Sequence, residues 1–552
     1  MKSNQSPRFI AALVSGILAL AVAGAQSTPS TDSHQSASDR RTTARFNQSP
    51  LTVAPAVKFA LPVSYASEGF FATSVAIADL NGDGNPDIVV ANSCQTGSNG
   101  ESNCSAGGAV SVLLRNSDGT LQSSVSYNSG GAAALSVAIA DLNGDGRPDI
   151  VVANQCISTS NCSGGVVGVL IGNGDGTFQP AVTYAAGYGP QAVAVGNLNP
   201  NGHPAVVVAN QCMAAGNCTV GGVSVLLGNG NGTFGAPATY SSGGQDADAV
   251  VIKDINGDGL LDVVVANQCV TKSSCKTGGI GVLPGNGDGT LRTASTYSSG
   301  GFSALSLAVA DVNGDGQPDV VVTSLCGQSA NCVNGIVGVL LGNGNGLFRQ
   351  AVTYSSSGYG ASSIAIGDVN GDGIPDLVVD DICKTISNCA KGGISVLLGS
   401  GGGTFQTPII YSSDGYNATS VALEDVNGDS RPDIVTANYC STKSACNGTV
   451  AVLLNTTQIK TTTAIASSTN PSSLNQSVMF TATLTSSPSV PDGELVTFYQ
   501  GSTVLGTAPV ASNVANFTAS FSKAGTYTIK AAYAGDAFHK KSSGTVKQVV
   551  NQ

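Results

Sequence analysis

Residues 136–184 read SVAIA-DLNGDGRPD-IVVANQC-ISTSNCSGG-VVGVLIG-NGDGT-FQPAVTY, with DLNGDGRPD at 141–149. Four apolar runs of four to eight residues, rich in Val, Ile, Leu and Ala, are separated by Gly, Asn, Asp and Pro clusters, which is the punctuation of short antiparallel strands. No helical period competes with this reading. The nine-residue loop recurs as D-x-N-G-D-x-x-x-D in six of seven copies of the unit, starting at Asp79, Asp141, Asp254, Asp311, Asp368 and Asp425. Asn197 takes the first place in the deviating third copy. Successive starts lie 62, 56, 57, 57, 57 and 57 residues apart, so each unit is one supersecondary element packed on its neighbours. Four strands repeated seven times predict an all-β chain with a seven-bladed β-propeller over 58–457.

The ends of the array carry a further expectation. Phe or Leu followed six residues later by Tyr recurs at 59/65, 121/127, 178/184, 234/240, 291/297, 348/354 and 405/411. The first copy precedes the first loop and the last unit stops after its third strand, so the strand around 59–65 is expected to complete the seventh blade.

Outside the repeats the chain divides simply. Residues 1–25 have the form of a secretory signal peptide, with Lys2, Arg8, an apolar run and the small site Ala23-Gly24-Ala25, and 26–57 read as a flexible linker. No later apolar stretch is long enough for a membrane span, so a secreted or surface location is expected. From 458 to 552 the cysteines stop and alternating runs such as SVMFTATLT (477–485) and GTYTIKAAYAG (525–535) predict a smaller β-sandwich.

All fourteen cysteines fall in the repeats, one pair per unit: Cys94/Cys104, Cys156/Cys162, Cys212/Cys218, Cys269/Cys275, Cys326/Cys332, Cys383/Cys389 and Cys440/Cys446. Zinc needs four converging soft ligands and the chain has three His, so local disulfides in an oxidising compartment are expected. Each short clip contributes on the order of 2 kcal/mol in the chain-entropy picture.

The loops carry the chemistry. A hard dication takes six to eight oxygens, and carboxylates at alternate positions of a tight Gly-containing turn supply them from one segment. Candidate ligands are Asp79, Asn81, Asp83, Asp87; Asp141, Asn143, Asp145, Asp149; Asp254, Asn256, Asp258, Asp262; Asp311, Asn313, Asp315, Asp319; Asp368, Asn370, Asp372, Asp376; and Asp425, Asn427, Asp429, Asp433. The carbonyl of position seven is expected to complete each set. About six structural Ca²⁺ ions are expected, and the third loop, Asn197, Asn199, Asn201 and Ala205, is expected to hold none. Three carboxylates in each of six loops make eighteen of the 34 acidic residues, so the net charge of −11 is mostly ligand and says little about a partner.

Through D-x-N-G-D-G-x-P-D and G-N-G-D-G-T-F the repeats resemble the FG-GAP/VCBS family, whose calcium-binding blades also build the propeller of integrin alpha chains. The resemblance implies a seven-bladed propeller with Ca²⁺ in the hairpins between first and second strands, and adhesion or ligand binding without fixing the ligand. The tail resembles bacterial Ig-like repeats, notably in Tyr533-Ala534-Gly535-Asp536.

No catalytic constellation is legible: three scattered His build no triad, and the G-N-G-D-G turns precede strands, so they are hairpin turns and not phosphate loops. The expectation is a non-enzymatic adhesion or ligand-binding protein with an extracellular protein or glycan ligand and no nucleic-acid partner. A carbohydrate-binding lectin is the alternative, and a polysaccharide-degrading enzyme a third. Nine residues before each loop stand Phe70, Ala132, Tyr188, Gln245, Phe302, Tyr359 and Tyr416. The five aromatics either pack between units or form a ligand face opposite the loops.

Overall fold

The structure is a computed structural model and describes residues 57–552 apart from 98–101, 117–118, 217, 272–274, 328–331, 386–388, 487–488 and 537. The expected signal peptide and nearly all of the linker lie outside the described residues. Among those described the chain is all β, with one 3₁₀ turn and no α-helix.

Each unit is a four-stranded antiparallel meander. In the fourth unit the strands Gln245–Lys253, Asp262–Cys269, Gly279–Leu283 and Ser295–Ser298 pair in sequence order. Second strands such as Asp149–Cys156 are buried along almost their whole length, because neighbouring sheets cover both faces. Such a strand reads as a near-continuous Val/Ile run and loses the two-residue alternation of a one-sided sheet. Fourth strands, for example Val125–Asn128, are short and largely exposed.

Two long strands join units. Val182–Gly196 pairs with Gly165–Leu170 through its first half and with Ala205–Cys212 through its second. Val63–Ala78 does the same for the ends of the array: Val63–Ala66 pair with Val452–Thr449 of Asn447–Leu453, and Phe70–Ala78 pair with Asp87–Thr96. The segment expected to complete the last unit therefore does so in hydrogen bonds. First strands contact one another from unit to unit, and Tyr416–Glu424 of the seventh contacts Val63–Ala78 of the first. Hydroxyls mark the same path. Ser74 Oγ accepts Val137 N–H, Ser136 accepts Val193, Ser363 accepts Val421, and Ser420 accepts Val75, each at 3.2 Å.

The Phe/Leu…Tyr motif packs these units together. Tyr127 meets Phe178 of the next unit edge to face at 5.7 Å, as do Tyr184 and Phe234, Tyr297 and Phe348, Tyr354 and Phe405, at 5.4–5.5 Å. Phe59 closes the series on Tyr411 at 5.3 Å.

The tail forms two sheets. One pairs Thr462–Ser467, Val478–Thr485 and Val514–Ala519, and the other holds Leu495–Gln500, Thr503–Pro509, Gly525–Tyr533 and Ser542–Asn551, with the short Ser472–Ser473 at its edge. Phe480, Phe498, Ile529 and Tyr533 fill the space between them.

Candidate metal loops and the opposite end

The second loop shows how the sequence builds its site. Asp141 Oδ1 accepts the N–H groups of Gly144 and Asp145 at 2.7 and 3.2 Å, and Oδ2 accepts Gly146 at 2.8 Å. Asn143 Oδ1 takes Asp145 N–H at 2.9 Å, and Asp145 Oδ1 takes Arg147 N–H at 2.9 Å. These Asx-type turns wind the backbone around position one. Gly144 and Gly146 supply the left-handed φ of +77° and +80° that the winding requires. The position-one carboxylate gathers N–H groups in the same way in the loops beginning at Asp79, Asp254, Asp311, Asp368 and Asp425.

Position nine has a second role that sequence reasoning missed. Asp87, Asp149, Asp262, Asp319, Asp376 and Asp433 are at most 1% exposed, and each holds two distant pieces of backbone. One oxygen accepts the N–H of loop position two, Leu80, Leu142, Ile255, Val312, Val369 or Val426, at 2.9–3.1 Å. The other accepts the N–H of Arg115, Gly172, Gly285, Gly342, Gly399 or Asn455 at 2.6–2.8 Å, beyond the third strand. The carboxylate thus ties both hairpins of a unit together at one end. Burial pushes these carboxyls above their ordinary range, Asp376 and Asp433 to about 7, and the neighbouring acids of the same loop add to the rise.

The donors are carboxylate and amide oxygens, which fits a hard cation such as Ca²⁺ and no soft metal. Among the described residues no group of three or more His, Cys, Asp or Glu is gathered closely enough to hold an ion. Positions one, three, five and nine all accept loop or turn N–H groups. Carboxylate oxygens have further lone pairs, so Asp141, Asn143, Asp145 and Asp149 and their counterparts remain the residues that would hold a cation. The deviating loop keeps only a thin ladder, Asn199 N–H to Asn197 at 3.4 Å, Asn201 to Asn199 at 3.3 Å and His203 to Asn201 at 2.9 Å, and Ala205 offers no side-chain oxygen.

At the other end of each sheet all seven cysteine pairs are disulfides with the expected partners, Cys94–Cys104, Cys156–Cys162, Cys212–Cys218, Cys269–Cys275, Cys326–Cys332, Cys383–Cys389 and Cys440–Cys446. The two halves of a clip differ in surroundings, which the even spacing does not announce. The first cysteine closes or nearly closes a second strand and is buried, Cys212 alone being half-buried. The second stands in the loop that follows: Cys104, Cys162, Cys218 and Cys275 are exposed, and Cys332, Cys389 and Cys446 are half-buried. These seven are thus the surface halves of local clips, with no place in the acidic loops, and they tie each connection back to the sheet that ends beside it.

Phe70, Tyr188, Phe302, Tyr359 and Tyr416 stand in register with Cys94, Cys212, Cys326, Cys383 and Cys440, so they share the disulfide end, opposite the acidic loops. Phe70 is buried and meets Phe71 at 6.3 Å, which makes it packing. Tyr188, Phe302, Tyr359 and Tyr416 are half-buried.

A buried polar pair recurs between the two ends. Ser67, Ser129 and Ser242 donate to the side-chain oxygens of Asn92, Asn154 and Asn267 at 2.5–2.6 Å, and Ser356 donates to Asp381 at 2.6 Å. The Ala-Asn that recurs before five of the seven disulfides was the available signal.

Comparison with known proteins adds the class. The FG-GAP-like repeat model matches residues 96–152, 210–265, 254–322, 329–379 and 383–436, and the FG-GAP repeat model matches 71–113. The chain therefore carries an array of FG-GAP repeats. It ends in a bacterial Ig-like domain (group 3), matched over 464–551. No curated protein matches the sequence. Among solved structures it is similar to the V. cholerae biofilm matrix protein Bap1, at 12% identity and a TM-score of 0.34, over 73% of this chain and 89% of that one. It is also similar to the extracellular domain of the putative one component system BT4673 from B. thetaiotaomicron, at 10% identity and a TM-score of 0.24, over 88% of this chain and 74% of that one. At such scores neither likeness bears on function. Among the described residues no helix is long and apolar enough to cross a membrane.

Proposed function

We propose that this is an extracellular, non-enzymatic, calcium-loaded binding protein: a seven-bladed propeller whose acidic end is built for cations and whose disulfide end meets the ligand, carried on an Ig-like unit. The observation that carries the reading is the division of labour along every sheet. One end repeats an oxygen-only loop six times, each with a clamping Asp, and the other repeats a disulfide beside half-buried rings. Such a layout rigidifies both rims of a scaffold and leaves its connections free to vary, as binding proteins require. The ring of unit-to-unit contacts and the pairing of Val63–Ala66 with Asn447–Leu453 support closure of the propeller.

Calcium at the loops would neutralise carboxylates that repel one another when the metal leaves. Chelation should lower the melting temperature, and calcium should restore it in proportion to its concentration. A melt indifferent to chelator would refute the calcium reading. For the ligand face, Tyr359→Ala combined with Tyr416→Ala should abolish retention on a glycan array or on immobilised matrix proteins while the melting curve stays in place. Lowered melting with unchanged retention would make those rings packing and remove the ligand face from this end.

A further inference from the structure

Loop seven departs from its five acidic counterparts in one respect that bears on how many cations the chain holds. Position seven is Arg431, 7% exposed. Its Nε donates to Asp429 Oδ1 at 3.2 Å and its Nη2 to Asp429 Oδ2 at 2.6 Å, so both oxygens of the position-five carboxylate face one guanidinium. In loops one, two and five that Oδ2 instead takes the amide of Asn81, Asn143 or Asn313, at 3.0–3.2 Å, a neutral donor on the loop's own exposed rim.

An arginine at position seven does not by itself make this arrangement. Arg147 of loop two has the same place, is exposed, and lays its stem over Gly174 of the following turn. What differs for Arg431 is what waits on its other side. Nη1 donates to the Thr457 carbonyl at 2.8 Å, and the guanidinium carbon lies 4.6 Å from the ring centroid of Phe538 in the Ig-like unit. Beside them Ile459 bridges to His539. The guanidinium is therefore held by a carboxylate, a carbonyl and an aromatic face, in a site where bidentate pairing is worth more than at the surface.

We propose that loop seven is a latch and not a sixth calcium loop: Arg431 stands against Asp429 where a cation would stand, and fastens the propeller's last acidic loop to the backbone at Thr457 and to the Ig-like unit. The proposal rests on the calcium reading of the other five loops. A cation entering loop seven would have to displace a partly buried ion pair, and releasing Arg431 would also break its contacts to Thr457 and Phe538.

Native mass spectrometry of the full chain with its disulfides, in calcium well above the roughly millimolar range that extracellular modules need, separates the possibilities. The wild-type chain should hold five ions and Arg431→Met six, while Asp145→Ala should hold four. Six ions on the wild type would overturn the latch and leave the calcium reading standing, and five on both wild type and Arg431→Met would do the same. No ion on any chain would reject the calcium reading itself, and the latch with it. A second readout needs no metal. In chelator, trypsin should cut after the exposed Lys460 several-fold faster in Arg431→Met than in the wild type, and equal rates would show that Arg431 fastens nothing. Six ions on the wild type overturn the latch even if the variant folds poorly.

Discussion

Asp381 shows how one residue can carry a pH dependence that its counterparts in the other units lack. The equivalent position is Asn at 92, 154, 210, 267 and 438, and Asp381 accepts Ser356 and Ser395 hydroxyls at 2.6 Å each while fully buried. Burial pushes its carboxyl to about 7, and the adjacent Asp380, also buried, is raised well above the ordinary range. A carboxyl with its folded value raised contributes stability that is fully present below about 4 and is lost as the pH rises through about 7. Asp381→Asn should therefore stabilise the chelated protein at pH 8 by about 2–4 kcal/mol and change little at pH 4. Ser395 would accept the new amide as Ser111 accepts Asn92 at 3.0 Å and Ser224 accepts Asn210 at 3.0 Å. Urea midpoints at the two pH values check this, and an unchanged difference between them would assign the titration elsewhere.

At the scale of the element, the aromatic motif and the first-strand irregularity were unequally legible. The spacing of Phe178 and Tyr184 announced a repeated strand, but its purpose, an edge-to-face contact with the next unit, needed the assembled sheets. Phe178→Ala should cost about 3 kcal/mol, whereas Phe178→Leu should cost under about 1.5 kcal/mol, because Leu121 and Leu291 already fill the same place in other units. Equal losses in a denaturant series would show that filling the place is not enough and that the edge-to-face pairing itself carries the energy. The irregularity was not legible. The residue after each aromatic position has positive φ in all seven units, at Phe71, Ala133, Gly189, Asp246, Ser303, Gly360 and Asn417, yet only two are Gly. In all seven units a register shift in the first strand follows within a few residues, so pairing in the sheet imposes the conformation against local preference.

For the whole molecule, the joining of its ends is the critical feature. Val63–Ala66 give Asn447–Leu453 its outer partner, and Phe59 packs on Tyr411. Deleting residues 58–66 should lower the melting temperature and expose Asn447–Leu453 as an unpaired edge, so that the shortened chain self-associates as concentration rises. Light scattering beside a thermal scan tests this. A monomer with unchanged melting would show that the ends contribute nothing to stability.

The sequence by itself determined the repeat, the strand runs, the seven cysteine partnerships and the acidic loops, because each is written in contacts within a dozen residues. The pairing of residues 63–66 with 449–452 was also within its reach, since a repeat one strand short at one end and one strand long at the other has a single remedy. The tertiary structure alone decided the rest: that position nine clamps two hairpins as well as facing the loop, that Cys156 is buried while its partner Cys162 is exposed, that Phe70 is packing while Tyr359 is half-open, and that Arg431 differs from Arg147. These depend on which distant backbone or ring arrives beside a side chain. Asp149 meets Gly172, and Arg431 meets Thr457 and Phe538, only when strands far apart in sequence share an end of the fold.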